Sequence, residues 1–224
     1  MTSRELVLRT LEFENQTGRV PREIWTLPWA KLHYGEEFDR ILTDYPNDIL
    51  TARPRYHQSS KVSRGDMYRT GIYVDDWGCI FENRQDGIIG EVKQPLVEGE
   101  EWEDWEKVTF PENWLSFDKE EVNQYCRSVD GFVLAGCYPR PFEQLQFIRG
   151  TENLFMDLVD PPENLLNFMK KMHAFYCEQL NKWAETEVDA LMIMDDWGTQ
   201  ENLLINPKIW EELFMPMYRD YIDI

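Results

Sequence analysis

The stretch VDALMIMDDWG, residues 188–198, is a short and nearly continuous apolar run closed by two carboxylates, an indole and a glycine. A run of this length without polar alternation fits a strand covered on both faces, as in a parallel sheet flanked by helices. In such folds ligands meet the carboxyl ends of the strands. The acid pair stands at that end. Asp195 and Asp196 are therefore the candidate catalytic residues, and Trp197 and Gln200 are candidate ligand contacts. Gln200 fits a capping role equally well.

The word Asp-Asp-Trp-Gly also occurs at 75–78. There it lies in TGIYVDDWGCIF (70–81), which is followed by a polar turn with Asp86-Gly87 and by IIGEVKQPL (88–96). Two β-rich runs around such a turn predict a hairpin. Within a strand Asp75 and Asp76 would point to opposite faces, and Asp76 is a candidate for the pocket rim. The flanks of the two copies differ, so the recurrence is not an internal duplication.

Three more short apolar runs read as core strands: EIWTL (23–27), DILTA (48–52) and GFVLAG (131–136). Helical patterns lie between and after them, at 3–14, 35–43, 118–128, 140–150 with the segment that follows, 161–185, and from Asn206-Pro207 onward. Thr2 and Glu5 have capping-box spacing, and Pro162 sits in a favourable first-turn position. The alternation predicts an α/β fold with a parallel sheet, either an open doubly wound sheet or a (β/α)8 barrel. No glycine-rich dinucleotide fingerprint, P-loop or H-E-x-x-H word is present. Four strands cannot close a barrel. The chain also ends inside an amphipathic helix carrying Trp210, Leu213, Phe214, Met217, Tyr218 and Tyr221. The expectation is one domain over 1–224, the N-terminal portion of a longer barrel, with a hairpin excursion at 70–96.

With 42% hydrophobic and 14% aromatic residues, the 224-residue chain is globular. Its net charge of −19 opposes nucleic acid and anionic membrane as partners. Against that background Arg53, Arg55, Lys61, Arg64 and Arg69 face only Asp66 over 53–69. This arm reads either as a solvated loop or as a contact for an anionic ligand. Arg4, Glu5 and Arg9 interrupt any apolar leader, and the four cysteines show no C-x-x-C spacing. Free thiols and a cytoplasmic location are expected.

Beyond the 131–136 strand, Tyr138 and Arg140 are candidate substrate contacts, Arg140 as an anion clamp or as a plain surface residue. Trp29, after the 23–27 run, is either an indole at the mouth or packing. His173 and Cys177 share a helix face and are zinc-ligand types, but two ligands among core-like neighbours do not make a site. No metal site is expected within these residues.

Three stretches carry a resemblance: YVDDWGCIFENRQDGIIGEVKQPL (73–96), GCYPRPFEQLQFIRGTENLFMDLVDPPENL (136–165) and DDWGTQENLLINPKIWEELFMPMYRDYID (195–223). Together they resemble the uroporphyrinogen decarboxylase superfamily, which also holds corrinoid-dependent methyltransferases. The resemblance implies a (β/α)8 TIM barrel with its active site at the strand ends. The decarboxylase R-Q-A-G-R segment corresponds to WTLPWAKLHYGEEF (25–38), which has no arginine. The family tyrosine falls on Gln146, a further candidate substrate contact, and the family serine falls on Asp196. These departures point to methyl transfer between a methylated corrinoid, carried by a partner protein, and a thiol or related acceptor. Zinc is the implied metal, with ligands downstream of Ile224. Decarboxylation of a tetrapyrrole acid and a non-catalytic binding protein or inactive fragment are the alternatives.

Overall fold

The computed structural model describes residues 1–224. Helix α1 (Ser3–Leu11) starts at a complete capping box: Glu5 N–H donates to Thr2 Oγ1, and Thr2 N–H donates to the Glu5 carboxylate at 2.9 Å. Strand β1 (Ile49–Thr51) is anchored just before its start by Asp48, which is 2% exposed. Asp48 accepts from the Arg19 guanidinium (2.6 and 2.8 Å), Ser3 Oγ (2.6 Å) and Arg22 N–H (2.9 Å). The Arg19 hydrogen bond in particular holds this carboxyl well below the usual carboxylate range.

The 23–27 run is not a strand. It is extended but mostly exposed, with Trp25 at 65%. Pro28 does not end a strand here. It is the first residue of helix α2 (Pro28–Asp44), where its fixed φ and missing N–H cost nothing. Gly35 interrupts α2 at φ 34°, and no residue of the helix is buried.

Strand β1 pairs in parallel with the later strand of the 131–136 run. Between them the chain makes a three-stranded antiparallel meander, β2 (Gly71–Val74), β3 (Ile80–Asn83) and β4 (Glu91–Gln94), in the order β2–β3–β4. The first Asp-Asp-Trp-Gly therefore forms the β2–β3 turn instead of lying in a strand. Gly78 N–H donates to Asp75 C=O at 3.1 Å, and Asp75 Oδ1 accepts from Trp77 N–H (3.0 Å) and Cys79 N–H (2.7 Å). Gly78 supplies the φ of 93° that this turn needs. A carboxylate binding the backbone two and four residues on favours turns over strands, which explains the difference from the hairpin reading.

Helix α3 (Lys119–Ser128) is capped by Asp118 and leads into strand β5 (Phe132–Leu134). The register is Ile49 with Phe132, Leu50 with Val133 and Thr51 with Leu134. The 188–194 run extends this sheet on the other side of β5. Ala190 bridges Leu134 in parallel, and Ala135 N–H donates to Ala190 C=O at 2.9 Å. The run stays half-buried, because it is the sheet's edge.

Helices α4 (Pro141–Arg149), α5 (Thr151–Asp157) and α6 (Glu163–Ala184) follow β5. The C-terminal helical segment is α7 (Pro207–Ile209), a π-helical turn (Trp210–Phe214) and α8 (Met215–Asp223). Pro216 lacks an N–H and would clash with the carbonyl one turn back, and the widened turn absorbs that defect. The result is mixed α/β with a short parallel sheet and covering helices. No closed barrel is formed.

At Gly136 the exit of β5 runs tightly beside the residue that follows β1: a Cβ there would lie 2.2 Å from Ala52 O and 3.3 Å from the Trp183 ring. Backbone cannot yield as a flexible side chain can. Gly136→Ala is expected to lower stability by about 1–3 kcal/mol in urea unfolding. An unchanged midpoint would contradict this packing. All four cysteines are free, and no helix is long and apolar enough to cross a membrane.

Candidate active site

A cavity of about 290 Å³ opens at the carboxyl ends of β5 and of the 188–194 edge. The exit of β5 contributes Gly136, Cys137, Tyr138 and Arg140, and the edge contributes Met194. Helix α4 adds Gln144, and α6 adds Tyr176 and Gln179, which are three residues apart and hence on one face. Tyr56, from the basic arm, and Trp114 complete the wall.

The deep part of the wall is polar yet sealed. Gln144, Tyr176, Gln179 and Cys137 are each at most 2% exposed. Burial pushes the Cys137 thiol up to about 12 and the Tyr176 hydroxyl further, so both stay neutral near pH 7. Cys137 is thus not an activated nucleophile, which would need a depressed pKa. Tyr56 is also pushed up to about 12, by burial first and then by Cys137 and Asp76. Arg140 is the one cation on the wall, with its side chain 34% exposed at the rim. It pairs with Glu143 at 2.8 Å and lies 5.6 Å over the Phe147 ring.

Helix α4 fixes where Arg140 and Gln144 stand, and Asp195 fixes the start of α4. Its Oδ2 accepts from Phe142 N–H at 2.9 Å and its Oδ1 from Glu143 N–H at 2.7 Å. Arg140, at the N-cap position, supplies no side-chain cap of its own. A carboxylate at these orphan N–H groups also meets the positive end of the helix dipole. Tyr218 OH adds a third donor to Asp195 at 2.9 Å and itself accepts from Trp197 Nε1 at 3.1 Å. Burial still outweighs these donors and pushes Asp195 up to about 6. Asp75 is likewise pushed up to about 6 by burial, against the pull of its turn N–H groups.

The other sequence-predicted residues stand at varied distances from this cavity. Tyr138 and Arg140 line it. Asp76 stands behind the wall, accepting from Trp114 Nε1 (3.1 Å) and Asn113 Nδ2 (3.2 Å). Trp197 packs flat on Phe142, with ring centroids 4.4 Å apart, and Asp196 and Gln200 are exposed. Gln146 lies on another face of α4, beside Lys93 and Gly150 under the meander. Trp29 stacks on His33 at 4.1 Å, and its N–H donates to Gly87 C=O at the meander turn. Sequence reasoning did not single out Tyr56, Trp114, Gln144, Tyr176, Gln179 or Met194. One usable signal was Gln179, a polar residue on the apolar face of a long helix.

His173 Nε2 pairs with Asp220 at 2.8 Å, with Cys177 Sγ 3.7 Å from the imidazole. No three His, Cys, Asp or Glu side chains converge into a metal-binding group. The residues of this chain therefore do not fit zinc by themselves.

The family model described as Uroporphyrinogen decarboxylase (URO-D) matches residues 73–224, more than half of the chain. The matched region holds every wall residue of the cavity except Tyr56. No curated protein and no solved structure matches the chain. The match spans the meander, the β5 exit and the second Asp-Asp-Trp-Gly in one continuous run, and on that ground the chain belongs to the uroporphyrinogen decarboxylase (URO-D) family.

Proposed function

We propose that the protein is a URO-D superfamily enzyme of the methyl-transfer kind, with this chain binding a small anionic acceptor, such as a thiol, in the cavity at the β5 exit. The observation that carries this reading is the single cation on the wall, Arg140. One guanidinium matches one carboxylate or sulfonate, as a two-pronged charge-assisted contact. A tetrapyrrole with several carboxylates calls for several such partners. The volume of about 290 Å³ also lies at the small end of ligand pockets.

A corrinoid on a partner protein supplies the methyl group in this reading. The residues of this chain hold the acceptor. Arg140 takes its anionic end, and Tyr138 and Trp114 flank its body. Asp195 acts as a positioning residue, since both its oxygens are engaged at the start of α4. Proton transfer by Asp195 requires its release from those donors. Asp196, exposed at the same strand end, is the freer of the two acids.

Binding of 2-mercaptoethanesulfonate to the full chain, followed by ligand-observed NMR, tests the proposal. Arg140→Gln is expected to weaken it by about tenfold or more, the loss typical of a hydrogen bond to a charged group. Tight binding of uroporphyrin that ignores Arg140→Gln would overturn the reading in favour of a tetrapyrrole acid.

A further inference from the structure

Gln179 sits in the C-terminal half of α6, is 2% exposed, and lines the cavity. Its Oε1 has no hydrogen-bond partner in the protein. The rest of that helix face buries Met172, Phe175, Leu180 and Trp183. A leucine or methionine would fill the same space without orphaning a polar atom, so stability alone does not explain an amide there. Gln144 brings a second amide to the same wall. It is 1% exposed, and its Nε2 reaches only the Cys79 sulfur, at 3.7 Å, a weak acceptor. The cavity thus pairs one cation at its rim with under-satisfied neutral amides at its floor.

We propose that the cavity takes a small organic acid carrying a second, neutral hydrogen-bonding group, a hydroxyl, with its anionic end on Arg140 and that second group on the Gln179 amide. The proposal rests on the reading of this cavity as the acceptor site and deepens it by naming the ligand class. A hydroxyl serves whichever way the amide is turned, because it both donates and accepts. Gln179 is then the specificity-determining residue: an isosteric ligand with a methyl group at that end leaves the amide unsatisfied in the closed floor.

The test compares 4-hydroxybutanoate with pentanoate, a matched pair differing by hydroxyl for methyl, on the full chain by ligand-observed NMR titration. The hydroxy acid is expected to bind about tenfold tighter or better, the usual consequence of burying an unmet polar group with the wrong ligand. Gln179→Met, close in volume, is expected to bring the two acids within about twofold of each other, because the floor no longer distinguishes them. Arg140→Gln is expected to weaken both in parallel. A wild-type ratio near one, or a ratio that survives Gln179→Met, overturns the ligand class. If Arg140→Gln still weakens both acids in either case, the acceptor-site reading stands without it. Loss of the Arg140 dependence overturns that reading itself, and absence of binding by both acids overturns the ligand class. Should Gln179→Met fail to fold, the wild-type ratio decides alone.

Discussion

Replacing Trp77 by alanine is expected to lower folding stability by about 3–5 kcal/mol in urea or thermal unfolding, the range for a buried aromatic cut back to a methyl. Trp77 is 1% exposed and lies among Phe110 (centroids 5.3 Å), Phe175 (5.6 Å), Tyr176 (5.9 Å) and Trp114 (6.3 Å). It carries the first Asp-Asp-Trp-Gly turn into the body of the molecule and touches two residues of the cavity wall, Tyr176 and Trp114. The void left by alanine opens next to the site, so ligand binding should weaken along with stability. Trp77 Nε1 has no hydrogen-bond partner. Trp77→Phe, which removes that orphan donor and keeps a ring, should lose less than half as much. Equal losses for Phe and Ala would show that ring packing is not what holds this region.

The second large effect belongs to Asp195. Asp195→Ala leaves the Phe142 and Glu143 N–H groups without their acceptor, and Tyr218 OH loses one as well. Relief of a buried charge returns part of that loss, so the net expected at pH 7 is about 2–3 kcal/mol. The loss should grow on acidification. Burial raises the Asp195 pKa to about 6 in the fold, whereas a carboxyl in the unfolded chain titrates near the ordinary value of about 3.9. Between those values the folded state binds more protons than the unfolded state, so stability falls as pH rises from about 4 to about 6. Asp75, also about 6, acts in the same direction. For Asp195 alone the change across this window is on the order of 2 kcal/mol. The difference between wild type and Asp195→Ala should therefore be larger at pH 4.5 than at pH 7. A difference that shrinks toward acid would mean that the carboxylate is stabilised in the fold, with its hydrogen bonds outweighing burial. Asp195→Asn separates positioning from proton transfer: in any assay of the proposed reaction, loss of less than about tenfold in rate counts against a proton-transfer role.

Both effects bear on the repeated tetrapeptide. In each copy the first aspartate binds backbone N–H groups, those of its own turn for Asp75 and those of α4 for Asp195. The tryptophans differ: Trp77 is fully buried among four aromatic rings, two of them on the cavity wall, whereas Trp197 is half-buried, flat on Phe142. Identical words thus have one chemical habit and two tertiary settings.

Features governed by neighbours in the chain were legible in advance. The Thr2–Glu5 capping box, the strands within 48–52 and 131–136, helix α6, and the placement of Tyr138 and Arg140 just past a parallel strand all follow from caps, periodicity and strand-end topology. Where local signals had two meanings, the sequence reading took the wrong one. Pro28 begins a helix as readily as it stops a strand, and Asp75 makes a turn where a strand was expected. Beyond that, the amino-acid sequence by itself determined the α/β class and pointed to the strand ends at which the cavity opens. Only the tertiary structure decided that Tyr56, Trp114, Gln144 and Gln179 share one cavity with Arg140, and that Asp195 turns into the start of α4. The physical reason is that hydrogen-bonded caps and turns are settled within a few residues, whereas the cavity is made by segments far apart in the chain, brought together by burial of apolar surface that has no preferred partner until the whole core packs.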